Sequence, residues 1–236
     1  MQFSDAVLAS LHGRFTVVKA PALSGPPAQR APAVVDRVSE MLATIEKGGM
    51  DAVLAYAAEL DRWSGGPVEL DRATIERSGD DLTPQLRAAL ELGAARTAAF
   101  ARVTRSHLVG FEIELAPGLV TGQRYVPVSR VGAYLPAGRF PLLASAFMTV
   151  NVAKVAGVPT VLACTPPQAD GRADPAVLYA AHLSGADRVF LLGGVQALAA
   201  MAFGLLGEPG VDSDRDPATG RVRRRTLTAP GRGTAR

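Results

Sequence analysis

Two short runs carry the side chains best suited to holding a phosphorylated ligand, Tyr134-Leu135-Pro136-Ala137-Gly138-Arg139 and Gly193-Gly194-Val195-Gln196. Glycine lets backbone N–H groups come close to phosphate oxygens, while Tyr134 offers a flat ring and Gln196 an amide. Spacing alone leaves two readings open. The runs form a nucleotide cradle, or their glycines only turn strand into helix, since neither a G-x-G-x-x-G fingerprint nor a Walker loop is present. The remaining candidates point to packing or solvent. His12, His107 and His182 are far apart, with no HxH or HxxxH pairing, which predicts solvated or singly hydrogen-bonded rings and not metal ligands. Cys164 ends an apolar run with no adjacent His or Lys to lower its pKa, so it reads as a small filler and not a nucleophile. Trp63, Met148, Met201 and Phe203 sit in apolar runs, where core packing is expected.

Positioning the two runs requires strands that end where they begin. Residues 131–135, 160–164 and 188–192 read as strands, separated by helices at 142–156 and 175–183 and followed by a helix at 195–203. Strands separated by helices cannot pair through hairpins. The order therefore predicts an α/β fold with a Rossmann-like parallel sheet built from a βαβαβ unit, whose ligand would lie at the carboxyl ends of its strands. Upstream, Val34, Val38, Met41, Leu42 and Ile45 recur at helical spacing until Gly48-Gly49, and Asp51 opens a second helix through Leu60. Thr83-Pro84 supplies an N-cap and a first-turn proline for a long helix to about Val103, with Leu86, Leu90, Ala94, Thr97 and Phe100 along one side. FEIEL and LVTGQRYVPV then read as extended lead-in strands. The expected divisions are an N-terminal arm and linker (1–32), a helical segment with lead-in strands (33–129), the Rossmann-like domain (130–207) and a basic tail (208–236).

Composition narrows the classes. With 48% hydrophobic residues in 236, the chain can bury a core, and its 24 glycines and 17 prolines show no collagen-like period. One cysteine excludes both a disulfide scaffold and a cysteine-rich zinc module, and fits a reducing, cytoplasmic setting. Neither a secretory leader nor a stretch of ~18 apolar residues is present, so the chain reads as soluble and untargeted. The net charge of +3 resides in residues 208–236, where seven arginines, including Arg221 and Arg223-Arg224-Arg225, face four acids. A neutral body with a basic tail does not match a folded nucleic-acid-binding domain.

The stretch from Arg130 to Gly204, RVGAYLPAGRFPLLASAFMTVNVAKVAGVPTVLACTPP through GADRVFLLGGVQALAAMAFG, resembles the NAD-binding core of the histidinol dehydrogenase family. EKGGMDAVLAYAAELDRW resembles the family's N-terminal helices, and the likeness runs from about residue 33 to 207. Arg139-Phe140-Pro141 and Gly193-Gly194-Val195-Gln196 resemble its sulfopropanediol dehydrogenase branch. The resemblance implies an NAD- and zinc-dependent homodimer that oxidises a primary alcohol to a carboxylate, of the histidinol or sulfopropanediol type. It places the cofactor-contacting tyrosine and glutamine on Tyr134 and Gln196. Ala137 stands where the family has a second loop glycine, and its methyl is expected to crowd the turn.

The resemblance also implies what should follow residue 207: a Gly-Pro-Gly-Asn turn on NAD, a glutamate–histidine base pair, and Gln, His, Asp and His zinc ligands. The sequence has none of these and runs instead into the arginine-rich tail, so the fold is expected to be incomplete relative to the family, with no catalytic and no metal-binding residue assigned. The tail reads as an out-of-frame product, because codons for Arg215-Asp216-Pro217-Ala218-Thr219 shifted by two nucleotides can spell Gly-Pro-Gly-Asn. Sequencing the locus tests that reading; no dehydrogenase-like continuation in another frame would dismiss it. An inactive dehydrogenase fragment is read first, a non-catalytic nucleotide- or partner-binding module second, and a nucleic-acid role for the tail last.

Overall fold

The computed structural model describes residues 31–126, 128–138 and 140–207. The expectations for the N-terminal arm, His12, Pro127, Arg139 and the 208–236 tail lie outside the described residues. The described residues fall into two units by their contacts, one ending at Arg37 and the other beginning at Val38.

Helix α1 (Pro32–Asp61) is two helices joined at Gly49, whose φ of 60° and ψ of −143° no helical residue adopts. The Gly48-Gly49 break expected from the sequence is thus a real change of direction, at a backbone conformation that glycine reaches without a side-chain clash. Met41, Ile45, Val53 and Ala57 are its buried residues. The second half ends in a left-handed residue, Arg62 (φ 58°), and the Trp63 N–H donates back to the Ala57 carbonyl at 3.1 Å. This closure spans seven residues, one more than the six of a Schellman cap, and it places arginine in the left-handed position where glycine is usual. It fixes the last helical residue, Asp61, in place.

Helix α2 (Arg72–Arg77) follows, capped by Asp71, whose carboxylate accepts from the Thr74 N–H at 2.8 Å. Helix α3 (Pro84–Ser106) starts as its sequence predicts, with Thr83 accepting from the Leu86 N–H and Pro84 in the first turn. Only Leu90 and Ala94 of α3 are buried, whereas Phe100 is 76% exposed. The expected apolar side is correct in phase but too long, because the elements packed beside α3 cover only part of it.

Strands β1 (Phe111–Ala116) and β2 (Leu119–Gln123) form an antiparallel hairpin, every residue of which is exposed. The sequence reading carried the second strand past Gln123, where Arg124 to Val126 have no strand structure.

The expected crossover unit is present. Strands β3 (Arg130–Tyr134), β4 (Thr160–Thr165) and β5 (Arg188–Leu191) pair in parallel in the order β3-β4-β5. Between β3 and β4, Ala144–Ala146, a π-helical turn Phe147–Asn151 and Val152–Ala156 run on without a break and are taken together as α4. Helix α5 (Pro175–Ser184) precedes β5, and helix α6 (Gly194–Ala202) follows it.

Alternation along the strands sends side chains to two cores, one on each face of the sheet. Ala133, Val161, Ala163 and Val189 pack with α3, α4 and α5. Leu162, Cys164 and Phe190 pack with α1 and α6. Residues 68–70 bond antiparallel to β5, with the Leu70 N–H on Val189 O and the Leu191 N–H on Val68 O. That segment covers the sheet's outer edge, and a two-pronged Arg188–Glu69 pair at 2.6 and 2.7 Å fastens it. Among the described residues, no helix is long and apolar enough to cross a membrane.

Candidate functional site

In a parallel sheet all carboxyl ends lie at one end, so the loops after β3 and β5 emerge on the same side, flanking the end of β4. Tyr134 closes β3; Gly193, two residues beyond β5, is the N-cap of α6 with extended backbone (φ −110°, ψ 177°). Gly194 then takes a φ of +57°, where any side chain would be strained. The Gly194 N–H donates to the Tyr134 hydroxyl oxygen at 3.3 Å, and Gln196 Oε1 lies 2.9 Å from where a Gly194 Cβ would stand, so Tyr134 and Gln196 both flank Gly194.

A third side chain joins them. The Asp61 carboxylate oxygen Oδ2 accepts from the Gly193 N–H at 2.9 Å and from Gln196 Nε2 at 2.8 Å. It therefore holds the start of α6 through one backbone and one side-chain donor. Gly193 is required by this contact: a Cβ there would stand 2.6–2.8 Å from the carboxylate atoms. Burial raises the Asp61 pKa above the ordinary carboxylate value, with the Gly193 and Gln196 hydrogen bonds opposing it. An acid whose folded pKa is raised makes folding less favourable as pH rises from its unfolded value through the folded one.

Gln196 is fully buried, and its Oε1 has no hydrogen-bond partner. Trp63 Nε1 and Thr165 Oγ1 are likewise buried without partners. Thr165 closes β4 opposite Leu191, and Trp63 follows the Asp61 helix end. Buried polar atoms are normally satisfied; the fourth such orphan among the described residues, Ser184 Oγ, lies at the end of α5, ahead of β5.

Ala137 is 5% exposed and belongs to the apolar cluster beneath the sheet. The turn accommodates its methyl group, contrary to the crowding expected. Two concavities of about 560 and 600 Å³ lie elsewhere, one along Asp71, His182 and Arg188 at the start of β5, the other along Gln168, Asp170 and Arg172. Neither is lined by Tyr134 or Gln196.

The weaker candidates resolve largely as expected. The His107 ring bonds the Val103 carbonyl at 2.8 Å, and His182 stacks on Tyr179. Trp63 and Phe203 pack against the core and Met201 is buried within it, but Met148 is 71% exposed, which corrects its assignment to the interior. Its apolar neighbours in sequence predict burial, yet it falls on the outward side of the π-helical turn. Cys164 is fully buried, and that burial pushes its thiol up to about 12. Iodoacetamide at pH 8 is therefore expected to leave the folded chain unlabelled and to modify it only under denaturing conditions. Labelling without denaturant, read by intact mass, would contradict the packing described.

The family whose model matches is that of histidinol dehydrogenase, over residues 26–213. Relatives include the sulfopropanediol 3-dehydrogenase of Ruegeria pomeroyi, 42% identical over 176 residues, covering 75% of this chain and 40% of that protein. A histidinol dehydrogenase of Xylella fastidiosa is 39% identical over 197 residues, covering 84% of this chain and 45% of that protein. The crystal structure of histidinol dehydrogenase from Elizabethkingia anophelis superposes with a TM-score of 0.69 at 26% identity, over 81% of this chain and 45% of the other. The chain thus spans less than half the length of the relatives it matches. The family model spans most of the chain and the structural match covers 81% of it, and the chain belongs to the histidinol dehydrogenase family of oxidoreductases.

Proposed function

We propose that this chain forms the NAD-holding part of an enzyme oxidising a primary alcohol to a carboxylate, with Tyr134 and Gln196 contacting the dinucleotide. The single observation that carries the reading is the joining of the loops after β3 and β5 through the Gly194 N–H and the Tyr134 hydroxyl, beside the orphaned Gln196 oxygen. Bound NAD supplies the hydride acceptor. The chain's own residues bind and orient it: Tyr134 offers a ring and Gln196 a directed amide.

Zinc, which the family resemblance implies, does not fit these residues. No group of three or more His, Cys, Asp or Glu side chains able to hold a metal ion occurs among the described residues. No step through zinc is assigned to this chain, and the substrate, of histidinol or sulfopropanediol type, is assigned no contact in it. The homodimeric assembly and the cytoplasmic setting belong to the same reading; the exposed apolar side chains of β1 and β2 and the single buried cysteine support them.

Two measurements test the proposal. NAD at about a hundred times its dissociation constant stabilises a folded chain by roughly 2.7 kcal/mol, which raises Tm by several degrees; an unchanged Tm would refute cofactor binding. The 236-residue chain alone is expected to reduce NAD negligibly with histidinol or sulfopropanediol, even with zinc added. Turnover at the rate of a full-length relative would overturn that part.

A further inference from the structure

Resting on the dinucleotide reading, we propose that Asp61 is a positioning residue for the cofactor loop: it occupies the N–H end of the Gln196 amide, so that Gln196 meets the ligand as an acceptor. The group it receives is then a hydrogen-bond donor of the dinucleotide, a hydroxyl or an amide N–H, and not a phosphate.

A glutamine amide can present either end by a half-turn, and its surroundings decide which. Here the choice is made by a carboxylate, an acceptor only, which takes Nε2 at 2.8 Å. The same oxygen takes the Gly193 N–H at 2.9 Å, so the carboxylate is itself held and cannot follow the amide if it turns. Oε1 is left buried and unpartnered. It stands 2.9 Å from the place a Gly194 side chain would occupy, on an exposed residue whose missing Cβ leaves that side of the loop open. A phosphate at this point would meet the Asp61 charge at the helix terminus that otherwise favours anions. A donor would instead find an acceptor already aimed.

The test is NAD affinity, by calorimetry, of the full chain and its variants. Asp61→Ala is expected to weaken binding about tenfold, as loss of a hydrogen bond to a charged group does. If Asp61 acts through Gln196, the same substitution in a Gln196→Met background changes affinity by less than about threefold. A full tenfold loss again in that background, or wild-type affinity for Asp61→Ala, overturns the proposal. A merely structural residue would lower Tm in both backgrounds and weaken NAD binding equally in both.

An isosteric exchange keeps the test open should alanine prevent folding. Gln196→Glu alone sets two carboxylates together and is expected to lose about tenfold in affinity. Adding Asp61→Asn restores a donor–acceptor pair in reverse and is expected to recover most of it. Equal loss in the single and double variants counts against the proposal. No NAD binding by the wild type removes the dinucleotide reading itself, and this inference with it.

Discussion

Gly193→Val is expected to dislodge the Asp61 carboxylate and destabilise the chain by about 3 kcal/mol. Overpacking a tight site costs roughly 1–3 kcal/mol, and the hydrogen bonds to a charged group add to it. The new Cβ would stand 2.6 Å from Oδ2 and 2.8 Å from Cγ. Relief requires moving either the helix end at Asp61 or the start of α6, and the Arg62 cap and the buried face of α6 resist both. For a chain of this size each kcal/mol lowers Tm by about 2–4 °C, so a fall near 10 °C should be visible by circular dichroism. Gly138→Ala is the control. Gly138 has open space where its Cβ would stand and does not have a left-handed φ, so its replacement is expected to stay within about 0.5 kcal/mol. Similar losses for both glycines would show that the carboxylate contact is not what the loop depends on.

Leu162→Ala is expected to be at least as damaging. Leu162 is 1% exposed in the central strand and packs in the cluster that includes Ile45, Val53, Leu192 and Met201. Removing such a side chain costs about 2–5 kcal/mol, the upper values applying where neighbours cannot collapse into the space. The neighbours here are backbone-fixed strands and two helices. Urea unfolding should show the midpoint falling with the slope unchanged. A loss below about 1 kcal/mol would mean that β4 is not the packed centre of the sheet.

The crossover unit was legible within about a residue at nearly every boundary because the strands RVGAY, TVLACT and RVFL are short apolar runs bounded by glycine, proline or a helix cap. Side chains buried on both faces need no alternation to be recognised. Helix α2 went unread, since six residues with one buried apolar side chain, Ile75, carry no period. Met148 was misplaced because its apolar neighbours hid the outward side of the π-helical turn, and Phe100 for a different reason. Periodicity tells which side chains share a face, but not how far along the helix its neighbours extend.

Two of the three side chains of the candidate site were readable, and the one that was not is instructive. Tyr134 and Gln196 sit in glycine-marked turns that family likeness picks out. Asp61 ends a helix more than a hundred residues from Gln196, in a run, ELDRW, with no spacing that signals chemistry. Only the fold brings its oxygen to 2.8 Å from the amide. The structure adds a local sign that the sequence does not carry: the helix closes on a left-handed arginine, Arg62, and backbone held in such a conformation tends to mark sites whose geometry is fixed from elsewhere.

The π-helical turn Phe147–Asn151 gives α4 one residue more than a regular helix of the same span needs. Asn151 spends its buried amide on the Ala94 carbonyl of α3, at 3.0 Å, and the Phe147 ring lies against Gly93 one residue earlier on that helix. The surplus residue sets the angular phase between the two ends of α4. Excising it would let the helix relax to regular winding and swing everything before it by about 100°. Phe147 and Asn151 would then no longer address the same stretch of α3. Insertions and deletions in α4 are thus constrained by rotation, even though they barely alter its length.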